Sequence, residues 1–344
     1  MAIRINYQIL FLVLAILFVI SGIIGLIDRG NAPYGGYLTE GNNTIIRIDA
    51  ESPAARAGLK VGDYIRSVGG IPVENSRALA ERVRPLIGQM DTLVVERRSA
   101  TAPGAAPAIL DVHLTYAASP TKNAALGFAG FIIGLCFVVC GLTAYARVPG
   151  RSAALLALTG LCLGVSFLGT PYFSSPSVRA LVQSFLSIVV VLGFASLLHF
   201  VLESPKRKAL LRQRHAMMLL YGPALMVALY LLFLIVVRPP ATSGLNQLSN
   251  LLIGLFVVTY FGGAAIAMTH SYVTATPQER SGYGLNIELV GILIGILPVT
   301  IGLLLRVLAP SLALPGVEFY FLSVIFIPIV LVVAVLRQAP AAGR

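Results

Sequence analysis

The chain has 344 residues, of which 57% are hydrophobic and only 11% are charged, and its mean hydropathy is +0.87. Soluble globular proteins carry about a quarter charged residues, so this composition excludes a single soluble enzyme. The formal net charge is +11, and most of the basic residues outside the polar segment 29–118 flank apolar runs, as they do in membrane proteins. The charge therefore gives no case for nucleic-acid binding.

The first apolar run covers residues 7–27 and ends in Ile-Asp-Arg. Its 21 residues are enough to cross the hydrocarbon core as a helix. The run is longer than the apolar region of a cleaved signal peptide, and no A-x-A-like cleavage site follows it. We therefore expect residues 1–28 to form an uncleaved signal anchor.

A polar segment follows, and residues 28–118 hold ten basic and ten acidic residues. Four short apolar runs in it predict strands: TIIRI, YIRSV, DTLVVERR and AILDVHLTY. Pro53 suits the first turn of a short helix that ends at Gly58. Asn75 or Ser76 can cap a second helix, in which Leu79, Val83 and Leu86 would share one face. The segment 29–118 is thus predicted to be one small α+β domain.

This domain resembles a PDZ domain. The strings that carry the resemblance are SPAA at 52–55, AGL at 57–59, GDYI at 62–65 and VGG at 68–70. The resemblance implies that a peptide adds as a strand between a strand and a helix, with its carboxylate on backbone N–H groups of a glycine-containing loop. The implied peptide-binding residues are Tyr34, Gly35, Gly36, Tyr37 and Leu38 from the loop and strand, and Leu79 and Val83 from the helix. The alternative is that the glycines only turn the chain and that Leu79 and Val83 belong to the core.

Apolar runs return after the domain, at 124–146, 153–173, 178–202, 217–237, 251–273, 285–305 and 319–336. Each is long enough to span a bilayer. Residues 119–344 are therefore predicted to form seven transmembrane helices. With the anchor, the fold class is a polytopic α-helical membrane protein of about eight transmembrane helices, with the PDZ-like domain inserted between helices one and two.

The orientation follows from the distribution of lysine and arginine, which are retained on the cytoplasmic side of short loops. If the N-terminus is inside, eleven basic residues lie in the inner segments and three in the outer short loops and span ends. We therefore expect a bacterial inner-membrane protein with both termini in the cytoplasm and the PDZ-like domain outside.

Three further strings extend the resemblance: LHFVLESP at 198–205, LLYGPAL at 219–225 and ATPQER at 275–280. Together with a domain placed after the first helix, they look like the multi-span sensor module of competence-type, quorum-sensing histidine kinases. In those kinases the last span leads into dimerisation and ATP-binding domains, whereas this sequence stops eight residues after Leu336. We therefore expect no kinase activity from it.

Four ionisable residues fall near the predicted cytoplasmic ends of the spans: His199, Glu203, His270 and Glu288. Ionisable groups within membrane helices are costly and tend to be functional. We predict that the four form one intramembrane polar cluster. The alternative is that each side chain reaches the interfacial water separately.

The sequence lacks the motifs that two classes of membrane protease require. A zinc metalloprotease needs H-E-x-x-H, yet none of the four histidines, at 113, 199, 215 and 270, is followed by Glu. A rhomboid-like serine protease needs an activated Ser-His pair, but Ser166 lacks the glycine expected after it. We expect no enzyme activity, no metal site and no cofactor.

Two functions remain. The first is a sensor or adaptor whose external PDZ-like domain binds a peptide or protein segment and whose helix bundle relays or scaffolds that event to a cytoplasmic or membrane partner. The second is a small-solute transporter or channel-like protein with an accessory PDZ domain, which interrupted helices in matching halves would favour. The bilayer is a partner in both, and nucleic acid in neither.

Overall fold

A computed structural model describes residues 7–39, 43–74, 82–98, 106–237, 244–308 and 317–338. Within these ranges it gives no side-chain description for residues 246, 247, 249, 250, 299, 300, 302–308, 317 and 318. The fold is predominantly helical, at 68%. The chain forms two parts. One is a strand domain, residues 33–118, and the other is a helix bundle made of the helix before this domain and the helices after it.

The long helices coincide with the predicted apolar runs. They are α1 (Tyr7–Gly30), α3 (Thr121–Arg147), α4 (Arg151–Leu168), α5 (Pro176–Glu203), α6 (Ala216–Val237), α7 (Gly244–Thr274), α9 (Leu285–Leu308) and α10 (Phe326–Gln338), the last preceded by a 3₁₀ turn, Val317–Ile325. Seven stretches of the described chain are long and apolar enough to cross a membrane, the seventh combining this turn with α10. Helix α9 carries a shorter apolar stretch, Leu285–Pro298.

Two shorter helical segments lie at the end of the bundle away from the strand domain. One is the 3₁₀ turn Ala209–Arg212 between α5 and α6, and the other is α8 (Pro277–Gly282) between α7 and α9. Thr276 caps α8, because its hydroxyl accepts from the Glu279 backbone N–H and the Glu279 side chain accepts from the Thr276 N–H. This capping box fixes where α8 begins after α7.

The described residues of the strand domain form eight strands and the one-turn helix α2 (Pro53–Arg56). The strands are β1 (Pro33–Tyr34), β2 (Tyr37–Thr39), β3 (Ile45–Ile48), β4 (Tyr64–Val68), β5 (Ile71–Pro72), β6 (Met90–Arg97), β7 (Ala108–Thr115) and β8 (Ala117–Ala118). Strands β5, β4, β6 and β7 form a four-stranded antiparallel sheet in that order, while β1 pairs with β8 and β2 with β3. The core is apolar, with Ile45, Leu93, Val95 and Leu114 fully buried.

The predicted strands and the first predicted helix match these elements closely. Ser52 caps α2, since its Oγ accepts from the Ala55 N–H, and Pro53 occupies the first turn as expected.

The second predicted helix differs from the structure at its C-terminal end. Residues 82–86 are not helical, and Val83 and Leu86 are 61% and 74% exposed. Pro85 explains the difference, because a proline disfavours helical backbone at the residue before it. The predicted helix face joining Leu79, Val83 and Leu86 is therefore not formed, and Leu79 lies outside the described residues.

Candidate functional site

The glycine loop between β1 and β2 has its carbonyl groups turned into the domain. The Gly36 carbonyl accepts from the Asp49 N–H at 2.9 Å and from the Ser52 Oγ at 3.2 Å, and the Gly35 carbonyl accepts from the Ala54 N–H at 2.9 Å. Gly36 has φ +79°, a left-handed conformation that favours glycine. A Cβ at this position would also collide with the Ser52 side chain. The loop geometry therefore requires glycine at position 36.

The same geometry leaves two backbone donors available. Within the described residues, neither the Gly35 nor the Gly36 N–H donates a hydrogen bond, although Gly36 is buried. A buried unpaired N–H costs about 1–3 kcal/mol. Successive free N–H groups in a turn form a concave site for an anion. The loop is therefore suited to receive a carboxylate.

Strand β2 continues directly from this loop and offers an open edge. It pairs antiparallel with β3, with Tyr37 opposite Ile48, and the described strands include no partner for its other edge. Leu38 on β2 is 48% exposed. An extended peptide can add to such an edge by main-chain hydrogen bonds. The predicted residues Tyr34, Gly35, Gly36, Tyr37 and Leu38 are thus brought together, whereas the far wall of a groove, at residues 75–81, lies outside the described residues.

The side chains behind the loop form polar contacts. The Tyr34 hydroxyl donates to Asp49 Oδ2 at 2.5 Å, and burial together with this bond raises the pKa of Tyr34 to about 12. The Tyr37 hydroxyl hydrogen bonds with that of Tyr116, and burial is the main cause of the raised pKa of both tyrosines. Both therefore stay protonated at neutral pH, and they keep the loop attached to the domain.

Tyr116 extends these contacts to an ion pair. It hydrogen bonds with Asp91 and Arg82, which pair with each other. Burial acts to lower the pKa of Arg82, but the Asp91 hydrogen bond and charge outweigh it, so that the pKa is raised. This ion pair leads from the glycine loop to the segment 82–86.

The segment 82–86 packs against the helix bundle. Its Arg84 meets three bundle residues, Asp28, Tyr172 and Arg179, and we call these four residues the docking contact. The Arg84 guanidinium binds the Asp28 carboxylate with two hydrogen bonds, and the Arg84 N–H donates to the Tyr172 hydroxyl at 2.8 Å. Both guanidinium groups lie near the Tyr172 ring, with Arg84 Cζ at 4.5 Å and Arg179 Cζ at 5.0 Å from its centroid. Such cation–π contacts add attraction.

Two further bonds close the docking contact. The Tyr172 N–H donates to Asp28 Oδ2 at 2.9 Å, and the Arg179 guanidinium donates to the Arg82 carbonyl at 3.2 Å. Asp28 lies in the last turn of α1, Tyr172 lies between α4 and α5, and Arg179 belongs to the first turn of α5. A continuous set of polar contacts therefore joins the glycine loop, through Tyr116 and Arg82, to two helices of the bundle, α1 and α5, and to the connection between α4 and α5.

A cavity of about 580 Å³ lies in the bundle beneath the docking contact. Asp28, Tyr172 and Arg179 are at its polar end, and Leu186, Phe194 and Phe256 line its apolar part. Its size is that of a small-molecule site.

No hydrogen bond or ion pair among the described residues joins the four predicted intramembrane residues, and their clustering stays a prediction. Buried His199 hydrogen bonds through Nδ1 to the Tyr221 hydroxyl at 2.9 Å, and its neighbour on the helix, Glu203, lies 3.9 Å from Arg151 Nε and 3.8 Å from Arg207 Nε. His270 is exposed, and Glu288 is buried on α9. Neither is among the charged groups close to the His199 ring. Of the four residues, the described contacts place only His199 and Glu203 close to each other.

Comparison with known protein families finds a PDZ domain at residues 44–88. This confirms the predicted PDZ resemblance for 45 of the 344 residues, from β3 to the segment that carries the docking contact. No curated protein and no solved structure matches the chain. Nothing in the comparisons links the helices to sensor kinases, so that resemblance stays a prediction.

The docking contact was missed in the sequence. Arg84 and Asp28 are 56 residues apart, and Arg84 and Tyr172 are 88 apart, so no local pattern joins them. One signal was present: Pro85 disfavours helical backbone at Arg84, so that the Arg84 backbone N–H is available to another partner.

Proposed function

We propose that the protein is a multi-span membrane receptor whose PDZ domain binds the C-terminal segment of a peptide or protein. The observation that carries this proposal is the pair of unpartnered N–H groups at Gly35 and Gly36 beside the open edge of β2. The ligand's carboxylate would accept from these N–H groups, and its last residues would extend the β2–β3 pair. This is a binding function without catalysis.

The docking contact supports a relay role. Peptide binding would change the glycine loop and the segment that leads to Arg84, and any change there alters contacts with α1 and α5. A cytoplasmic or membrane partner would then read the rearranged bundle. Coupling of this kind needs two sites and a measured interaction energy between them, which is why the experiments below test binding and coupling separately.

The proposed orientation places the PDZ domain outside the cytoplasmic membrane of a bacterium and both termini inside. It is tested by cysteine labelling in intact cells with a membrane-impermeant thiol reagent. Arg56→Cys, in exposed α2, should be labelled without cell lysis, and Gln213→Cys, exposed between the 3₁₀ turn and α6, only after lysis. The reverse pattern would overturn the orientation.

Peptide binding is tested with a pool of heptapeptides that have free C-termini and with the same pool amidated. The purified full chain should retain the first pool and not the second, because amidation removes the charge that the loop N–H groups attract. Leu38→Glu should abolish retention. Ile46→Glu, at an equally exposed apolar position of neighbouring β3, is the matched control and should retain the peptides. Equal retention of both pools would refute carboxylate recognition.

Small-solute transport is a second candidate, favoured by the cavity of about 580 Å³ in the bundle. A transporter should move a solute into liposomes that contain only this protein, and Phe194→Trp, which reduces the cavity, should slow the uptake. A receptor should show no uptake in that assay.

A further inference from the structure

A second large cavity lies between α5, α6 and α7, and it runs from the end of the bundle away from the PDZ domain, at Leu211 and Ala216, to Leu248 in the first turns of α7. Its volume is about 620 Å³, and nearly all of its lining is apolar, including Leu202, Leu211, Leu219, Val227 and Leu255. We call it the α6–α7 groove. It shares only Phe256 with the cavity beneath the docking contact, so it is a distinct feature.

The groove is long and parallel to the helices. Its α6 lining runs from Ala216 to Tyr230, which is about 20 Å of helix at 1.5 Å per residue. One leaflet of the hydrocarbon core is about 15 Å thick. The floor is fixed, because the Tyr260 hydroxyl of α7 donates to the Leu220 carbonyl of α6 at 2.5 Å. The groove therefore has the length and apolarity of a site for one extended acyl chain.

The end of the groove carries positive charge. The 3₁₀ turn that supplies Leu210 and Leu211 to the lining continues into Arg212 and Arg214. Both side chains are exposed, and neither forms a hydrogen bond or ion pair with another described residue. The nearby carboxylates are already engaged, since Glu203 faces Arg151 and Arg207 while Glu279 pairs with Lys206. Residues 204–216 contain no acidic residue.

We propose that the α6–α7 groove is a binding site for an anionic phospholipid of the leaflet opposite the PDZ domain. One acyl chain lies along α6, and the headgroup phosphate is bound by Arg212 and Arg214. Charge complementarity selects the headgroup, because basic side chains beside a membrane attract anionic lipids. The site is independent of peptide binding at the PDZ domain.

The chain contains no tryptophan, so a single introduced tryptophan reports on its own surroundings. Leu219→Trp places the reporter in the groove, and Leu255→Trp does so on the facing helix. Met218→Trp is the matched control, since Met218 is exposed at the same depth but is not part of the lining. The full chain is reconstituted in phosphatidylcholine with a small share of brominated phosphatidylglycerol or brominated phosphatidylcholine, and fluorescence quenching is measured.

The groove reporters should be quenched at a lower mole fraction of brominated phosphatidylglycerol than of brominated phosphatidylcholine, and the Met218→Trp reporter equally by both. When Arg212→Gln and Arg214→Gln are added to the groove reporters, the preference for phosphatidylglycerol over phosphatidylcholine should fall by about fivefold for each arginine removed. Arg147→Gln with Arg337→Gln, which removes the same charge elsewhere at this end of the bundle, should leave it unchanged. Equal quenching of the groove reporters by the two lipids, or a preference that survives loss of both arginines, would overturn the proposal.

Discussion

Neutralising Asp28 should release the PDZ domain from the helix bundle. Asp28→Asn keeps the shape of the side chain but removes the charge that binds the Arg84 guanidinium and accepts from the Tyr172 N–H. Arg84 would then lie against the bundle without its counter-ion. The substitution leaves the sequence of segment 82–86 unchanged, so the intrinsic rate of backbone hydrogen exchange in this segment is the same in the Asp28→Asn variant and in the unsubstituted chain.

The expected loss of free energy follows from how exposed the Asp28–Arg84 ion pair is. Exposed ion pairs contribute about 0–1 kcal/mol, and removing one partner of a fully buried pair costs about 3–5 kcal/mol. The side chains of Arg84 and Asp28 are 28% and 23% exposed, which lies between these cases. A loss of about 2 kcal/mol in the free energy of opening corresponds to about a 30-fold change in the opening equilibrium.

Hydrogen exchange of the Arg84 backbone N–H measures this opening directly, because that group donates to the Tyr172 hydroxyl and exchanges only when the contact separates. Asp28→Asn should speed its exchange by about 30-fold. Glu96→Gln is the control, since it breaks a similar pair with Arg66 inside the PDZ domain, and it should leave exchange at Arg84 unaltered. Unchanged exchange in Asp28→Asn would refute the view that the docking contact holds the domain.

Two further predictions concern stability. Gly25→Ala should lower the melting temperature of the full chain at a cost of about 1–3 kcal/mol, because the added Cβ would lie 2.6 Å from the Thr170 carbonyl carbon. Gly30→Ala is the control, since position 30 is open and its melting temperature should not fall; equal melting of the two variants would contradict the close packing. Burial acts to raise the pKa of Asp63, but the hydrogen bonds and charge of Arg97 outweigh it and hold that pKa below its usual value. Protection of the PDZ domain core in hydrogen exchange should therefore fall as the pH drops below about 4, and Asp63→Asn should flatten this dependence; an identical acid profile would refute it.

The elements of the fold were predictable because their signals are local. The runs TIIRI and YIRSV became β3 and β4 within one residue of the predicted bounds, since alternating apolar residues bounded by turns specify a strand. The apolar runs became α1 and α3–α7 because a bilayer span needs about 20 apolar residues. These patterns need no knowledge of which segments meet in space.

Of the candidate site, the glycine loop and β2 were predictable from the sequence, whereas the docking contact was not. The glycine loop and β2 followed from the PDZ resemblance, but which N–H groups stay unpaired depends on bonds to Asp49, Ser52 and Ala54 further along the chain. The docking contact depends on residues up to 144 positions apart. Depth in the membrane predicted a cluster of four polar residues, yet depth says nothing about which way each helix face points, and among the described residues no contact joins Glu288 to His199.

The central claim is that peptide binding at the glycine loop and docking at Asp28 influence each other. The most direct test is the Kd of one peptide retained from the free C-terminal pool, measured for the unsubstituted chain and for Asp28→Asn. Because coupling between sites is reciprocal and amounts to at least about 1 kcal/mol where it operates, the account predicts a change in Kd of about fivefold or more. An identical Kd in a variant whose Arg84 exchange shows the domain released would contradict it.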